Sequence, residues 1–190
     1  VKNILVVGEN AVKMMTVGGG SSSLKVKNEV SPLDGIRERF ADAKVVYERG
    51  YVGDASGQFD GVTTGQDLSE SRSAEKLISD AVAAAKDADY VIFIGGLNKS
   101  DHQDSEGNDR ESYDLPYSQN AVIEALTAAN PKLVVVNISG NAVAMPWADK
   151  VPGIVQDWYL GSEAGHSLAD VLSGDVNPSG KLPFTIGATL

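Results

Sequence analysis

Tyr90-Val-Ile-Phe-Ile94, closed by Gly95-Gly96, is an unbroken apolar run bounded by turn-forming residues. Runs of this length are what a strand buried on both faces leaves in a sequence. The period changes on either side of it. Upstream, Ser73 opens a helical stretch that carries Ala74, Leu77, Ile78, Ala81, Val82 and Ala85 on one side. Downstream, Pro116 to Ala129 predicts the next helix, with Val122, Ile123 and Leu126 turned inward. Further out, Ile4–Val7 (stopped by Gly8), Lys44–Tyr47, Leu133–Val136 and Ile154-Val155 repeat the strand signal. Ser31-Pro32 opens a helix with Leu33, Ile36 and Phe40 on one face, and Gly161 to Leu172 predicts another. Pro183 to Ile186 is the candidate for a last strand. Strands alternating with amphipathic helices predict an α/β fold: a mostly parallel sheet of about five to six strands with helices on both faces.

The composition fits one such unit over residues 1–190, with 42% apolar residues to fill a core. A net charge of −10 argues against a nucleic-acid partner or an anionic membrane surface. There is no cysteine, which excludes disulfides, thiol nucleophiles and thiolate metal sites. The apolar runs are too short for a transmembrane helix, so no membrane span is expected. Val1-Lys2-Asn3-Ile4 leads straight into the first strand with no initiator Met or signal peptide, which reads as a piece of a longer polypeptide.

In open α/β sheets, ligands collect at the carboxyl ends of the strands. The long Glu9–Glu29 connection, with Gly18-Gly19-Gly20 and Ser21-Ser22-Ser23 at its centre, follows the first strand. The stretch Asp101 to Tyr117, DHQDSEGNDRESYDLPY, follows the third. Ser139-Gly140-Asn141 follows the fourth and Asp157-Trp158-Tyr159 the fifth, so all four should share one rim. The alternative for each single loop is a merely solvated connection. Gly50 to Asp67 reads as an irregular link without chemistry.

Several chemistries fail on spacing. The glycines match neither a Walker loop nor the dinucleotide fingerprint, and no Gly-x-Ser-x-Gly elbow occurs. Asp101, His102, Asp104, Glu106 and Asp109 could face a cation, but their spacing is neither that of an EF-hand nor of a His-Glu-x-x-His helix. No metal or other cofactor is expected. Asn98-Lys-Ser100 and Asn137-Ile-Ser139 are formal glycosylation sequons, and a strand position makes the second unsuitable. Carboxylate acid/base work remains. Glu106 stands beside Gly107, which lets the loop approach a ligand, and Asp109-Arg110 can brace it through a charge-assisted pair. Taken alone this is only suggestive, since many solvated loops contain Glu-Gly.

Ser105-Glu-Gly-Asn-Asp-Arg110, followed by Tyr113-Asp-Leu-Pro116, resembles the Glu-Gly-x-Asp-Arg…Leu-Pro signature of the C-terminal domain of glycoside hydrolase family 3. Gly18-Gly-Gly-Ser-Ser22, Ser31-Pro-Leu-Asp-Gly35, Trp158-Tyr-Leu-Gly-Ser-Glu-Ala-Gly165 and the run Ala169 to Pro183 are similar to further elements of that domain, in the same order. The resemblance covers nearly the whole chain and is closest in character to bacterial β-glucosidases. It implies an α/β sandwich that supplies a Glu acid/base to a retaining, exo-acting β-glycosidase acting on terminal β-linked sugars. The Asp nucleophile comes from an N-terminal barrel, which 190 residues cannot also hold and which would be this domain's partner. Glu106 aligns best with the acid/base. Asp104 and Asp109 are the other eligible carboxylates, and with Arg110 they are read as loop-bracing groups. Gly19, Gly20, Ser21 and Ser22 would line the outer sugar site. The resemblance makes a periplasmic or secreted location reasonable. The alternative is a non-catalytic module that binds sugar or packs on a partner, in which Trp147, Trp158, Tyr113 and Tyr159 could stack on sugars or fill the core.

Overall fold

The computed structural model describes residues 1–16, 24, 26–54, 58–59, 62–100, 102–105 and 108–187. Its sheet is made of β1 (Asn3–Val7), β2 (Lys44–Glu48), β5 (Tyr90–Gly96), β6 (Leu133–Ile138) and β7 (Gly153–Asp157), in the order β2-β1-β5-β6-β7. Every pairing in it is parallel. The strands β3 (Gln58–Phe59) and β4 (Val62–Thr63) form a small separate antiparallel pair, within the Gly50–Asp67 link expected to be irregular. Residues 183–186 form no strand, so the expected sixth strand is absent from the sheet. Phe184 instead turns its ring edge-on to Trp158, with centroids 5.8 Å apart.

Alternating side chains send each strand's apolar residues to opposite faces. Leu5, Val7, Val91, Phe93, Leu133 and Val135 face one layer, and Ile4, Val6, Ile92, Ile94, Val136 and Ile138 the other. Helices α2 (Ala74–Ala85) and α3 (Gln119–Ala129) cover the first face. Helices α1 (Pro32–Arg39) and α4 (Ala164–Ser173) cover the second through Leu33, Ile36 and Leu168. Each such fully buried aliphatic side chain is worth roughly 1.5–3 kcal/mol of transfer free energy. No α-helix joins β6 to β7. Trp147, wholly buried and donating from Nε1 to Asn120 Oδ1 at 2.8 Å, fills that place in the core.

The helix starts follow local chemistry. Ser31 caps α1 by accepting from the Asp34 amide at 3.1 Å, with Pro32 in the first turn, and Ser73 caps α2 by accepting from the Lys76 amide at 3.2 Å. Helix α3 begins at Gln119 rather than Pro116 because Tyr117 has φ 62, outside the helical region. The buried Gln119 amide also clamps the strand end, accepting from the Gly96 amide and donating to the Gly96 carbonyl, each at 2.8 Å. Gly96 is needed there, since its φ of 119 is one that side chains oppose. Among the described residues, no helix is long and apolar enough to cross a membrane.

Candidate active site

The sheet order reverses between β1 and β5, because the chain leaves β1 toward β2 on one side and β5 toward β6 on the other. Such a switch point opens a crevice outside the carboxyl ends of the two strands. The connection from Gly8 and the acidic loop from Leu97 both start there.

The acidic loop is coiled tightly on itself before it reaches its acidic centre. The buried Asn98 accepts from the Ser100 amide through Oδ1 at 2.8 Å and from the Asp104 amide through its carbonyl at 2.9 Å. Gln103 Oε1 accepts from the Asn98 amide at 2.9 Å, and Gln103 Nε2 donates to the Tyr117 hydroxyl at 2.7 Å. His102 and Tyr117 both adopt left-handed φ, at 61 and 62, so the loop is bracketed by two non-glycine residues in a strained conformation. Tyr117 is held there by stacking on the buried Tyr51, with ring centroids 6.1 Å apart.

Asp104 ties this loop to the next two. Its Oδ2 accepts from the Gly140 amide at 2.6 Å and from the Tyr159 hydroxyl at 2.8 Å, while Oδ1 accepts from Asn141 Nδ2 at 2.7 Å. Burial, and then the neighbouring Asp104 carboxylate, push the Tyr159 phenol well above its ordinary pKa, which keeps it the donor. Arg110 Nη2 donates to the Ala142 carbonyl at 2.6 Å, so among the described residues Arg110 is braced by backbone rather than by Asp109. The Asp109 carbonyl faces His102 Nδ1 at 3.3 Å. Between these pins lies an open cleft of about 480 Å³ lined by Asp104, Ser105, Asn108, Asp109, Arg110 and Tyr159, among others. Ser105 Oγ and Arg110 Nη1 are buried at this place without a partner among the described residues.

The first loop is stapled at its stem. Glu29 Oε1 accepts from the Met15 amide at 2.6 Å, and the Glu29 carboxylate also takes the Thr16 amide at 3.2 Å. Lys99 lies over the Tyr159 ring at 5.1 Å, and burial lowers its pKa against the opposing pull of Glu29.

Of the residues named from sequence, Asp104, Asp109 and Arg110 come together around the cleft. Glu106 and the loop residues Gly19, Gly20, Ser21 and Ser22 lie outside the described residues, and Ser105 and Asn108 mark the two ends from which Glu106 is carried. No group of three or more metal-ligating side chains occurs among the described residues. Trp147 is core, and Tyr159 lines the cleft with its hydroxyl bonded to Asp104. Both sequon asparagines, Asn98 and Asn137, are buried.

Sequence reading missed a buried ionic cluster of Glu9, Lys13 and Arg49, and it missed the carboxylate of Asp157. Burial pushes the Asp157 pKa up to about 7. The available signal was position alone: Arg49 directly follows β2, Glu9 follows β1 after Gly8, and Asp157 ends the fifth strand of the sheet.

Residues 1–190 match the family described as the glycosyl hydrolase family 3 C-terminal domain. The chain is 53% identical to the beta-glucosidase BoGH3A of Bacteroides ovatus, over 97% of this chain and 24% of that protein. It superposes on the family 3 beta-glucosidase of Bifidobacterium adolescentis with a TM-score of 0.79 at 34% identity, over 98% of this chain and 25% of that one. The beta-glucosidase of Kluyveromyces marxianus, solved in complex with glucose, shares the fold with a TM-score of 0.84 at 21% identity, over 99% of this chain and 39% of that one. The chain therefore spans about a quarter of the length of the curated relative it matches over nearly its whole extent. A full-length family match and a whole-chain relative at this identity make the chain a member of glycosyl hydrolase family 3, as its C-terminal domain.

Proposed function

We propose that this domain works within a retaining exo-β-glycosidase, of β-glucosidase type, and that Glu106 is its general acid/base. The observation that carries this reading is the bracing of the acidic loop. Asp104 and Arg110 fasten it on both sides of Glu106, and the fastened residues line a cleft at the ligand rim. A loop so held can present a carboxyl to a sugar at a fixed height. In such a mechanism the carboxylic acid gives its proton to the glycosidic oxygen as a nucleophilic carboxylate attacks the anomeric carbon. The resulting carboxylate then takes a proton from the water that cleaves the glycosyl-enzyme.

The nucleophile, an Asp, belongs to a barrel domain upstream of these residues, and the two carboxyls must stand about 5 Å apart for the retaining route. Without that partner there is neither a nucleophile nor a walled pocket to raise the Glu106 pKa, so the domain alone is inactive. The substrates are glycosides or oligosaccharides with a terminal β-linked sugar. A periplasmic or secreted location accompanies this reading through the family resemblance.

The test is Glu106→Ala in the enzyme with its upstream barrel. The variant should lose about 10²–10⁴-fold in kcat/KM on substrates with poor leaving groups. Azide should restore turnover of aryl glycosides through a glycosyl azide. The 190-residue chain alone should turn over no aryl β-glucoside. Full activity of Glu106→Ala would leave a sugar-binding or packing role as the better description. Turnover by the chain alone would remove the requirement for the barrel.

A further inference from the structure

Three charged side chains sit in the interior between the carboxyl ends of β1, β2 and β5, and the acid/base chemistry makes no use of them. Glu9 and Lys13 are each 1% exposed and Arg49 is 7% exposed. Arg49 Nη2 donates to Glu9 Oε2 and to the Leu68 carbonyl, both at 2.8 Å. Lys13 Nζ stands 3.4 Å from Glu9 Oε1 and donates to the Asp54 carbonyl at 2.9 Å. It also lies 3.7 Å from Asp54 Oδ2. Asp54 Oδ2 in turn accepts the hydroxyl proton of Ser100. A continuous polar chain thus runs Arg49–Glu9–Lys13–Asp54–Ser100, from the floor of the sheet to the first turn of the acidic loop.

Stability gives little reason for such a chain. Buried ion pairs seldom improve on an apolar replacement of similar volume, because desolvation offsets the mutual attraction. What the chain does supply is direction. Ser100 receives the Gln103 amide at 3.1 Å through its carbonyl and gives its own amide to Asn98 Oδ1 at 2.8 Å. The Asp104 amide donates to the Asn98 carbonyl at 2.9 Å, so the tie at Ser100 reaches the Asp104 pins within one turn of chain. A second buried tie, Asn10 Nδ2 to the Leu97 carbonyl at 2.9 Å, fixes the start of the loop from the same strand connection.

We propose that Asp54, held by Lys13 and Glu9, is a positioning residue for the acidic loop, and that through Ser100 it sets the place at which the loop delivers its acid/base carboxyl. The inference rests on the reading of Glu106 as that group. In this reading Asp54 and Ser100 act through the loop and take no part in the proton transfer itself. Their removal should misplace the proton donor while leaving the barrel's nucleophile untouched.

Leaving-group dependence separates this role from a merely structural one. The full enzyme, carrying its barrel, is compared as wild type, Ser100→Ala, Asp54→Asn and Glu106→Ala on a β-linked disaccharide and on the dinitrophenyl β-glucoside. The dinitrophenolate needs no proton to depart. Loss of part of the general-acid contribution in Ser100→Ala and Asp54→Asn should lower kcat/KM on the disaccharide by about tenfold. The dinitrophenyl glucoside should change by no more than about twofold, because proton donation contributes little to that step. Ser100→Ala deletes one hydroxyl, so the test stands if Asp54→Asn fails to fold. An equal loss on both substrates would make the chain a stability element and overturn the proposal. So would unchanged disaccharide kinetics in both variants while Glu106→Ala loses activity and azide restores it, an outcome that leaves Glu106 in its role. A fully active Glu106→Ala would overturn both.

Discussion

The contact between α1 and α4 and the bracing of the acidic loop both bring distant segments close together, and they do so by opposite means. At the helix pair the backbones themselves meet, and the polar pair that joins the two helices, His166 Nε2 with Glu38 Oε2 at 2.8 Å, lies at the exposed surface. A Cβ added at Gly35 would lie 2.1 Å from the Gly165 carbonyl oxygen, and one at Gly165 would lie 2.1 Å from the Ser31 carbonyl oxygen. The Gly165 amide donates to the Val30 carbonyl at 3.1 Å, and the Val30 amide to the Ser162 carbonyl at 2.8 Å. The loop, by contrast, is held at side-chain length by Asp104 reaching Gly140, Asn141 and Tyr159. Backbone contact leaves no room between the segments, whereas a carboxylate with three donors holds its loops at side-chain distance and leaves a cleft beside them. The first arrangement suits a scaffold and the second suits a site.

The largest loss expected from this contrast is at the glycine contact. In Gly35→Ala the new methyl meets backbone rather than a flexible side-chain end, so α1 and α4 must part. Overpacking of this kind should cost about 3 kcal/mol. For a chain of this size that is about 6–12 °C of melting temperature. Thermal unfolding checks it, and a loss below about 2 °C, which corresponds to roughly 1 kcal/mol or less, would mean the two helices slide apart at little cost.

Asp104→Ala tests the other side. Hydrogen bonds to a charged group are worth about 1.5–3 kcal/mol each when buried. The open cleft lets water replace some of them, so about 2 kcal/mol is expected. The diagnostic readout is local. Hydrogen exchange at the Gly140 amide should quicken well before that at the Gly165 amide. If the two amides lose protection together, the rim and the helix layer form one cooperative unit and the contrast collapses.

The two regions were also unequally legible. The helix layer could be read because its determinants are local and repeat: Ser31-Pro32 before Leu33 and Ile36, and a strand run on either side. That Gly35 and Gly165 meet could not be read, since a glycine in a helix says nothing of which backbone approaches it. On the rim, the alternation of strands with helices already put the acidic, Ser139 and Asp157 loops at one end of a parallel sheet. The identity of each partner was not accessible. Asp104 rather than Asp109 carries the bracing, and Arg110 chooses a carbonyl, because such pairings depend on the heights of loops that no period encodes. Pro183–Ile186 forms no strand although β7 is an edge of the sheet: a β-like composition does not by itself bring a segment to that edge, and Phe184 packs on Trp158 instead.

Asp157 belongs to both regions, and its charge offers the finest test of how they differ. It follows Val155 by two residues on β7, so it points toward the layer of α1 and α4, and Tyr159, the donor to Asp104, follows it by two more. Its side chain lies at a narrow cavity that Lys13 and Glu29 also line. Burial lifts its pKa from 3.8 to about 7, so the folded chain holds a proton there that the unfolded chain has released. Between those two values the native state binds more protons than the unfolded one, and stability therefore falls as pH rises through the window. Asp157→Asn removes the charge and keeps the shape. It should leave the melting temperature nearly unchanged near pH 4, where the native carboxyl is already neutral. Above pH 7 it should raise stability by about 3–4 kcal/mol, the relief of a buried charge whose pKa is lifted from 3.8 to about 7. Melting curves of the two proteins from pH 4 to pH 8 decide it. A gap that stays constant with pH would mean that Asp157 is solvated in the folded chain and that β7 holds no buried charge between scaffold and site.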